Sequence, residues 1–280
     1  MEITEINTPA KINIGLYVTE KRQDGYHNIE TIFYPIALSD RILFEKSDKF
    51  HFSTNLRSLP EDSTNLVINA KNLLEEYTGE RIPVKIYLEK RIPVGAGLGG
   101  GSSDAAAVLN TLNSFGSLNL SPKEIFDLAL RLGSDVPFFL NPYPSFASGR
   151  GETLQTILLH LELPVVIANP GINISTRWAY SCVKPKSPGF NLSDVSSLDL
   201  YHLKMYRESI SNVFEKAVFE KYPVVSNLKS LHYKMGAVFS LMSGSGSTVF
   251  GIYPDSESAF RAAEIMKEQG HFVFTQESGV

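Results

Sequence analysis

The sequence predicts an α+β protein with two domains. An alternating strand opens the chain, helices with marked start signals fill its middle, and strands flanked by helices close it. The closing order suggests a small open-faced sandwich. At 280 residues, 43% hydrophobic and 20% charged, the chain has the length and composition of a globular protein with a proper core.

Each element has its own signal. In Thr8 to Val18, Ile12, Ile14, Leu16 and Val18 share one face of a strand, while Lys11, Asn13 and Tyr17 share the other. Asp24-Gly25-Tyr26-His27 is a turn, and the apolar stretch from Ile29 to Leu38 follows it. Ser63-Thr64-Asn65 starts a helix in which Leu66, Ala70, Leu73 and Tyr77 recur at helical spacing. Pro83 to Leu88 is a further strand and leads into a glycine-rich loop, after which the period from Ser102 to Leu112 is helical. Ser121-Pro122-Lys123-Glu124 joins an N-cap, a first-turn proline and a capping-box glutamate. The helix it opens is expected to bury Ile125, Leu128, Ala129 and Leu132. Pro164 to Ala168 is a short strand, and the Pro-, Ser- and Gly-rich residues 184–198 are a loop. Two helices follow, then strands at Ala237–Leu241 and Thr248–Tyr253, a helix at Ser256–Glu268 and a strand at His271–Thr275. A boundary within residues 152–163 gives domains of residues 1–155 and 156–280.

Composition narrows the function. Lys+Arg 26 against Asp+Glu 30 gives a net charge of −4, so no global basic field serves nucleic acid. The lone Cys182 makes no internal disulfide, and no Cys/His cluster has zinc spacing. No apolar run approaches the ~18 residues of a membrane span, and no signal-peptide layout opens the chain. The expectation is a cytoplasmic protein whose partners are small molecules rather than nucleic acid or membrane. No apolar strip marks an oligomer interface.

The strongest local signal is Pro93-Val94-Gly95-Ala96-Gly97-Leu98-Gly99-Gly100-Gly101-Ser102-Ser103-Asp104. Its glycines let the backbone take φ > 0 and approach a ligand without Cβ clashes. The helix that follows aims its unpaired N–H groups and positive dipole end into the loop, which makes an anion site suited to phosphates. Ser102 and Ser103 add hydroxyls for phosphate or Mg²⁺, and Asp104 either faces the dipole or helps hold a cation. A plain turn needs one or two glycines, not five within residues 95–101. No Gly-Lys-Ser/Thr tripeptide is present, so this is not a Walker A loop. Gly95-x-Gly97-x-x-Gly100 matches a dinucleotide fingerprint in form, but Leu118-Asn119-Leu120 stands where its acidic residue belongs. A nicotinamide-dependent dehydrogenase is therefore the runner-up, and a non-catalytic nucleotide-binding module is a third reading.

Three further segments gain weight together. Lys11 projects beside Asn13 from the polar face of the first strand, where a solvated edge charge is the plainer reading. Gly133-Ser134-Asp135-Val136-Pro137-Phe138-Phe139 sets a carboxylate in a small-residue turn, where an Asx turn or cap would also suit. Ser243-Gly244-Ser245-Gly246-Ser247-Thr248 joins two strands with more glycines and hydroxyls than a hairpin requires. Phosphoryl transfer needs phosphate positioning, a cation, a group for the acceptor's proton and a charge to steady the reacting oxygens. The glycine loop, the serines, Asp135 and Lys11 could fill those roles.

Pro9-Ala10-Lys11, the Gly95–Ser103 loop and the Ser243–Thr248 loop resemble the three motifs of the GHMP kinase superfamily. With Asp24-Gly25-Tyr26-His27 and Gly133–Phe139 included, residues 9 to about 250 are similar to the branch that acts on 4-diphosphocytidyl-2-C-methyl-D-erythritol. The resemblance implies ATP-dependent phosphorylation of that compound's 2-hydroxyl with Mg²⁺, in the non-mevalonate isoprenoid pathway. It also implies an N-terminal domain like ribosomal protein S5 domain 2 and a ferredoxin-like C-terminal domain. Carried over by motif, Lys11 and Asp135 are catalytic, and Pro93 to Ser103 bind the ATP phosphates. Tyr26 and Tyr180 clamp the cytosine, while His27 and Asn13 make polar substrate contacts. The metal ligands are not assigned. After Thr275 no family signature is present.

Overall fold

The computed structural model describes residues 3–277. Two compact units divide the chain: one holds residues up to 10, 38–92 and 99–142, the other 11–37, 93–98 and 143 onward. The long strands β1 (Ile3–Lys21) and β2 (His27–Lys46) contribute residues to both, and they pair with each other.

In the first unit, β3 (His51–Thr54) runs parallel to β4 (Val84–Glu89), and β4 runs antiparallel to residues 41–46 of β2. Helix α1 (Leu66–Thr78) starts where the sequence marks it, with Asn65 accepting from the Val67 N–H, and ends at Gly79 with φ 72°. Helix α2 (Gly100–Phe115) packs against α1 through an alanine-rich face. Ala105, Ala106 and Leu109 there are fully buried, and the small side chains permit close approach. Helix α3 (Pro122–Leu132) carries the complete Ser121/Glu124 capping box, a feature that stabilises a helix start by about 1 kcal/mol. It buries Ile125, Leu128 and Ala129, while Leu132 in its last turn is only half-buried. The short α4 (Val136–Phe139) follows, with Val136 and Phe138 in the core.

In the second unit, Thr31–Phe33 of β2 pair with β5 (Ser145–Ser148), which pairs with β6 (Thr153–Thr156). A separate four-stranded sheet takes β7 (Val165–Asn169), β8 (Phe239–Met242), β9 (Val249–Ile252) and β10 (Phe272–Gln276) in the order β10-β7-β9-β8. Every pairing in it is antiparallel. Helices α5 (Thr176–Ser181), α6 (Leu200–Tyr206), α7 (Glu215–Lys221), α8 (Pro223–Lys234) and α9 (Ser256–Glu268) complete the unit. Of these, α8 packs on β8 and β9, and α9 on β7 and β10, as the open-faced sandwich requires. Val225, Leu228, Ala259, Ala263 and Met266 turn their side chains into one core with Val166 and Val249.

The structure departs from the sequence reading in several further respects. The first strand is longer than Thr8–Val18, and both of its faces are buried around Lys11, Asn13 and Tyr17. The strands β3, β5 and β6 and the short helices α4 and α5 carry no signal in the sequence reading, and three helices, α6, α7 and α8, stand where two were expected.

Candidate active site

Lys11 stands on the polar face of β1, and that face is not solvated. The residue is 3% exposed, its ammonium lies 5.0 Å from the Phe33 ring centroid, and Nζ donates to Asn13 Oδ1 at 2.5 Å and to the Gly97 carbonyl at 3.3 Å. The edge-charge reading therefore fails. Asn13 is equally enclosed. Its N–H donates to Ser243 Oγ at 3.2 Å and its Nδ2 to Thr31 Oγ1 at 2.9 Å, while its Oδ1 accepts from Lys11. A cation held this way keeps its position without reorganising when charge develops nearby.

Residues Pro93 to Leu98 of the glycine loop belong to the same unit as Lys11. The Leu98 carbonyl accepts from the Lys11 N–H at 2.9 Å. Gly97 has φ +78°, and a Cβ there would collide with the Ser243 carbonyl. The Ser243–Thr248 turn uses that close approach: Ser243 Oγ donates to the Gly97 carbonyl at 2.9 Å, and the Thr248 N–H donates to the Ala96 carbonyl at 3.3 Å. The turn is thus a brace for the backbone of the glycine loop. Asn212, 3% exposed, holds the brace in turn by donating from Nδ2 to the Met242 and Gly244 carbonyls, both at 2.7 Å. No sequence signal marks Asn212, whose role exists only once the fold brings it beside residues 242–244. Asn169 does the same for the far end, donating to Ser247 and Thr248.

Tyr26, His27 and Tyr180, the rings expected to meet the substrate, lie in two separate contacts. The His27 and Tyr180 rings stack, with centroids 5.1 Å apart and planes inclined by 29°, and Phe214 meets Tyr180 edge-on at 4.8 Å. Tyr26 is 53% exposed, and the Arg150 guanidinium lies 4.6 Å from its ring centroid. Asp24 fixes the turn by accepting from the Tyr26 N–H at 3.0 Å. Tyr180 is therefore half-buried at the edge of the core, with one flank engaged by His27.

Gly99 to Ser103 and Asp135 belong to the other unit. Gly99, with φ 74°, precedes α2, and no side chain caps the helix start, so its first N–H groups are left to another acceptor. Ser102 is half-buried and Ser103 2% exposed. Asp104 is committed to a cation of the chain itself, not to a metal ion: its carboxylate is ion-paired with Lys90 at 2.9 Å and accepts from Thr8 Oγ1 at 2.7 Å. Asp135 is half-buried in the turn after α3, and its side chain makes no cap bond to α4, so capping does not account for it. The strand before the glycine loop, β4, pairs with β3 and β2, and both precede it in the chain. A dinucleotide fingerprint needs its loop and helix to lead into a further strand parallel to the first; among the described residues no strand after α2 pairs with β4, which removes the dehydrogenase reading.

Known proteins match this chain along nearly its whole length. The GHMP kinases N terminal domain matches residues 65–141, and the GHMP kinases C terminal domain matches residues 198–271. The 4-diphosphocytidyl-2-C-methyl-D-erythritol kinase of Chlorobium limicola is 43% identical over 266 residues, covering 93% of this chain and 92% of its own. The enzyme of that name from Prosthecochloris aestuarii is 40% identical over 283 residues, covering 99% of each. A crystal structure of 4-(cytidine 5'-diphospho)-2C-methyl-D-erythritol kinase superposes with a TM-score of 0.84 at 35% identity, covering 99% of this chain and 100% of that one.

Proposed function

Because the chain belongs to the 4-diphosphocytidyl-2-C-methyl-D-erythritol kinases of the GHMP superfamily, we propose that Lys11 and Asp135 are its catalytic pair. The enzyme is an ATP-dependent small-molecule kinase of the non-mevalonate route to isoprenoid precursors. It phosphorylates the 2-hydroxyl of 4-diphosphocytidyl-2-C-methyl-D-erythritol, giving the 2-phosphate and ADP. Asp135 accepts the hydroxyl proton, or orients that hydroxyl where the proton leaves late. Lys11 steadies the oxygen as its negative charge grows, and attack on the γ-phosphorus then releases ADP. The observation that carries this reading is the enclosure of Lys11 by Asn13, Phe33 and the Gly97 carbonyl, which fixes a cation beside the glycine loop.

Residues Pro93, Val94, Gly95, Ala96, Gly97, Leu98, Gly99, Gly100, Gly101, Ser102 and Ser103 bind the ATP phosphates, Pro93 by setting the backbone where the loop begins and the residues after it through backbone N–H groups and the start of α2. Mg²⁺ neutralises phosphate charge when bound, and the half-buried Ser102 hydroxyl fits it, whereas Asp104, spent on Lys90, does not. Tyr26 and Tyr180 flank the cytosine, and His27 stacks on Tyr180 as part of that wall. Asn13 stays in the substrate set through its place beside Lys11, although its side chain also brackets that lysine. We assign the enzyme to the cytoplasm, with no nucleic acid or membrane partner; among the described residues no helix is long and apolar enough to cross a membrane. The domain division at residue 155 is supported by the two family matches, which fall on either side of it.

A coupled ADP-release assay tests the substrate. Turnover is expected with 4-diphosphocytidyl-2-C-methyl-D-erythritol and not with mevalonate or homoserine. Turnover with either of those, and none with the cytidine compound, would move the enzyme elsewhere in the superfamily.

A further inference from the structure

We propose that Lys90 is a positioning residue for ATP, tying both ends of the glycine loop to one buried anchor. The inference rests on the reading that this loop binds the nucleotide's phosphates. Lys90 is 6% exposed in its side chain and lies between the carboxylates of Asp40 and Asp104, which are 0% and 2% exposed. Its Nζ donates to Asp40 Oδ2 and, at 2.9 Å, to Asp104 Oδ2. The other oxygens are committed as well. Asp40 Oδ1 accepts from the Arg91 and Ile92 N–H groups at 2.5 and 2.8 Å, and Asp104 Oδ1 accepts from Thr8 Oγ1 at 2.7 Å. Asp40 therefore holds the backbone where the loop begins, and Asp104 holds the first turns of α2 where it ends. Lys90 joins the two. Gly100 packs onto this junction, for a Cβ there would lie 3.0 Å from Ile92 Cγ2 and 3.2 Å from Lys90 Nζ.

The arrangement is not a phosphate-binding lysine. Two carboxylates against one ammonium leave the cluster net negative, which repels an anion. Nor is it an economical way to stabilise a core, since apolar side chains of similar volume do that as well or better than buried ions. What charged groups add is direction: fixed lone pairs hold two loop N–H groups and one helix turn in a single geometry. Burial pulls the Lys90 ammonium toward its neutral form, but Asp104 and Asp40 together push its pKa upward, so the clamp stays charged.

The test compares steady-state KM values in purified full-length enzyme. Asp104→Leu removes the clamp, Asp104→Asn keeps it, because the amide oxygen accepts from Lys90 while its N–H₂ donates to Thr8. The expected result is an ATP KM raised at least about tenfold in Asp104→Leu, with the cytidine-substrate KM changed less than about twofold and Asp104→Asn within about threefold of wild type. Lys90→Gln, which keeps volume and one carboxylate bond, provides the same readout should Asp104→Leu not fold. Gly97→Ala serves as the loop control. Folded clamp variants with a wild-type ATP KM, beside a raised KM in Gly97→Ala, would overturn the inference and leave the loop reading standing. An unchanged ATP KM in Gly97→Ala would overturn the loop reading and the clamp with it.

Discussion

At position 104 a carboxylate is buried beside Asp40, Lys90 and Thr8, and its titration links the clamp to stability. Burial pushes its pKa from 3.8 up to about 6, with Lys90 pulling it back and Asp40 adding to the rise. Between those values the folded chain holds a proton that the unfolded chain releases, so this group's contribution to stability falls as pH rises and is flat above the window. His232 works in the opposite sense. Burial lowers its pKa to about 3, the Val249 backbone opposing that shift, and its Nδ1 lies 2.9 Å from the Tyr253 hydroxyl. The unfolded chain therefore takes up that proton first, and stability is lost as pH falls below 6.5. Because the two oppose each other in acid, the variant difference isolates Asp104 better than the whole profile does. The melting temperature of Asp104→Asn relative to wild type should increase from pH 4 to pH 7; a gap independent of pH would contradict the assignment. At this scale the sequence made Lys11 a candidate, but its neighbours, and not its strand position, separate it from a surface lysine. Asp104 was legible only as a choice between a dipole and a cation, since its partner Lys90 has no motif of its own.

Among the elements, the legible ones carry local chemistry. Asn65 and Ser121 mark the starts of α1 and α3 because caps act within four residues of chain, and the Ser256–Glu268 helix has a period long enough to read. The turn between β8 and β9 shows its excess of glycine and serine in sequence, yet its role as a brace depends on Gly97, Asn13 and Asn212, which lie far off along the chain. Asn212→Leu should orphan two buried carbonyls and the Phe214 N–H, lowering unfolding free energy by roughly 2–4 kcal/mol in a denaturant titration. A loss within experimental scatter would show that the brace holds without it. The β9 strand offers a second check. A Cβ on Gly251 would run into the His232 ring, so Gly251→Ala should cost about 1–3 kcal/mol by overpacking, measured in the same way.

For the molecule as a whole, spaced motifs made the kinase family readable, because each is a short run whose backbone chemistry is nearly self-contained. The long strands β1 and β2 were less readable, since their full length reflects pairing and burial rather than alternation. In the proposed mechanism Lys11 and Asp135 perform phosphoryl transfer and the glycine loop serves the nucleotide. Its most direct test is ADP release from ATP and the cytidine substrate by wild type and Asp135→Asn, with ATP affinity measured on both. The expected result is a kcat at least ~100-fold lower in the variant with ATP affinity retained; a variant turning over at the wild-type rate would contradict it.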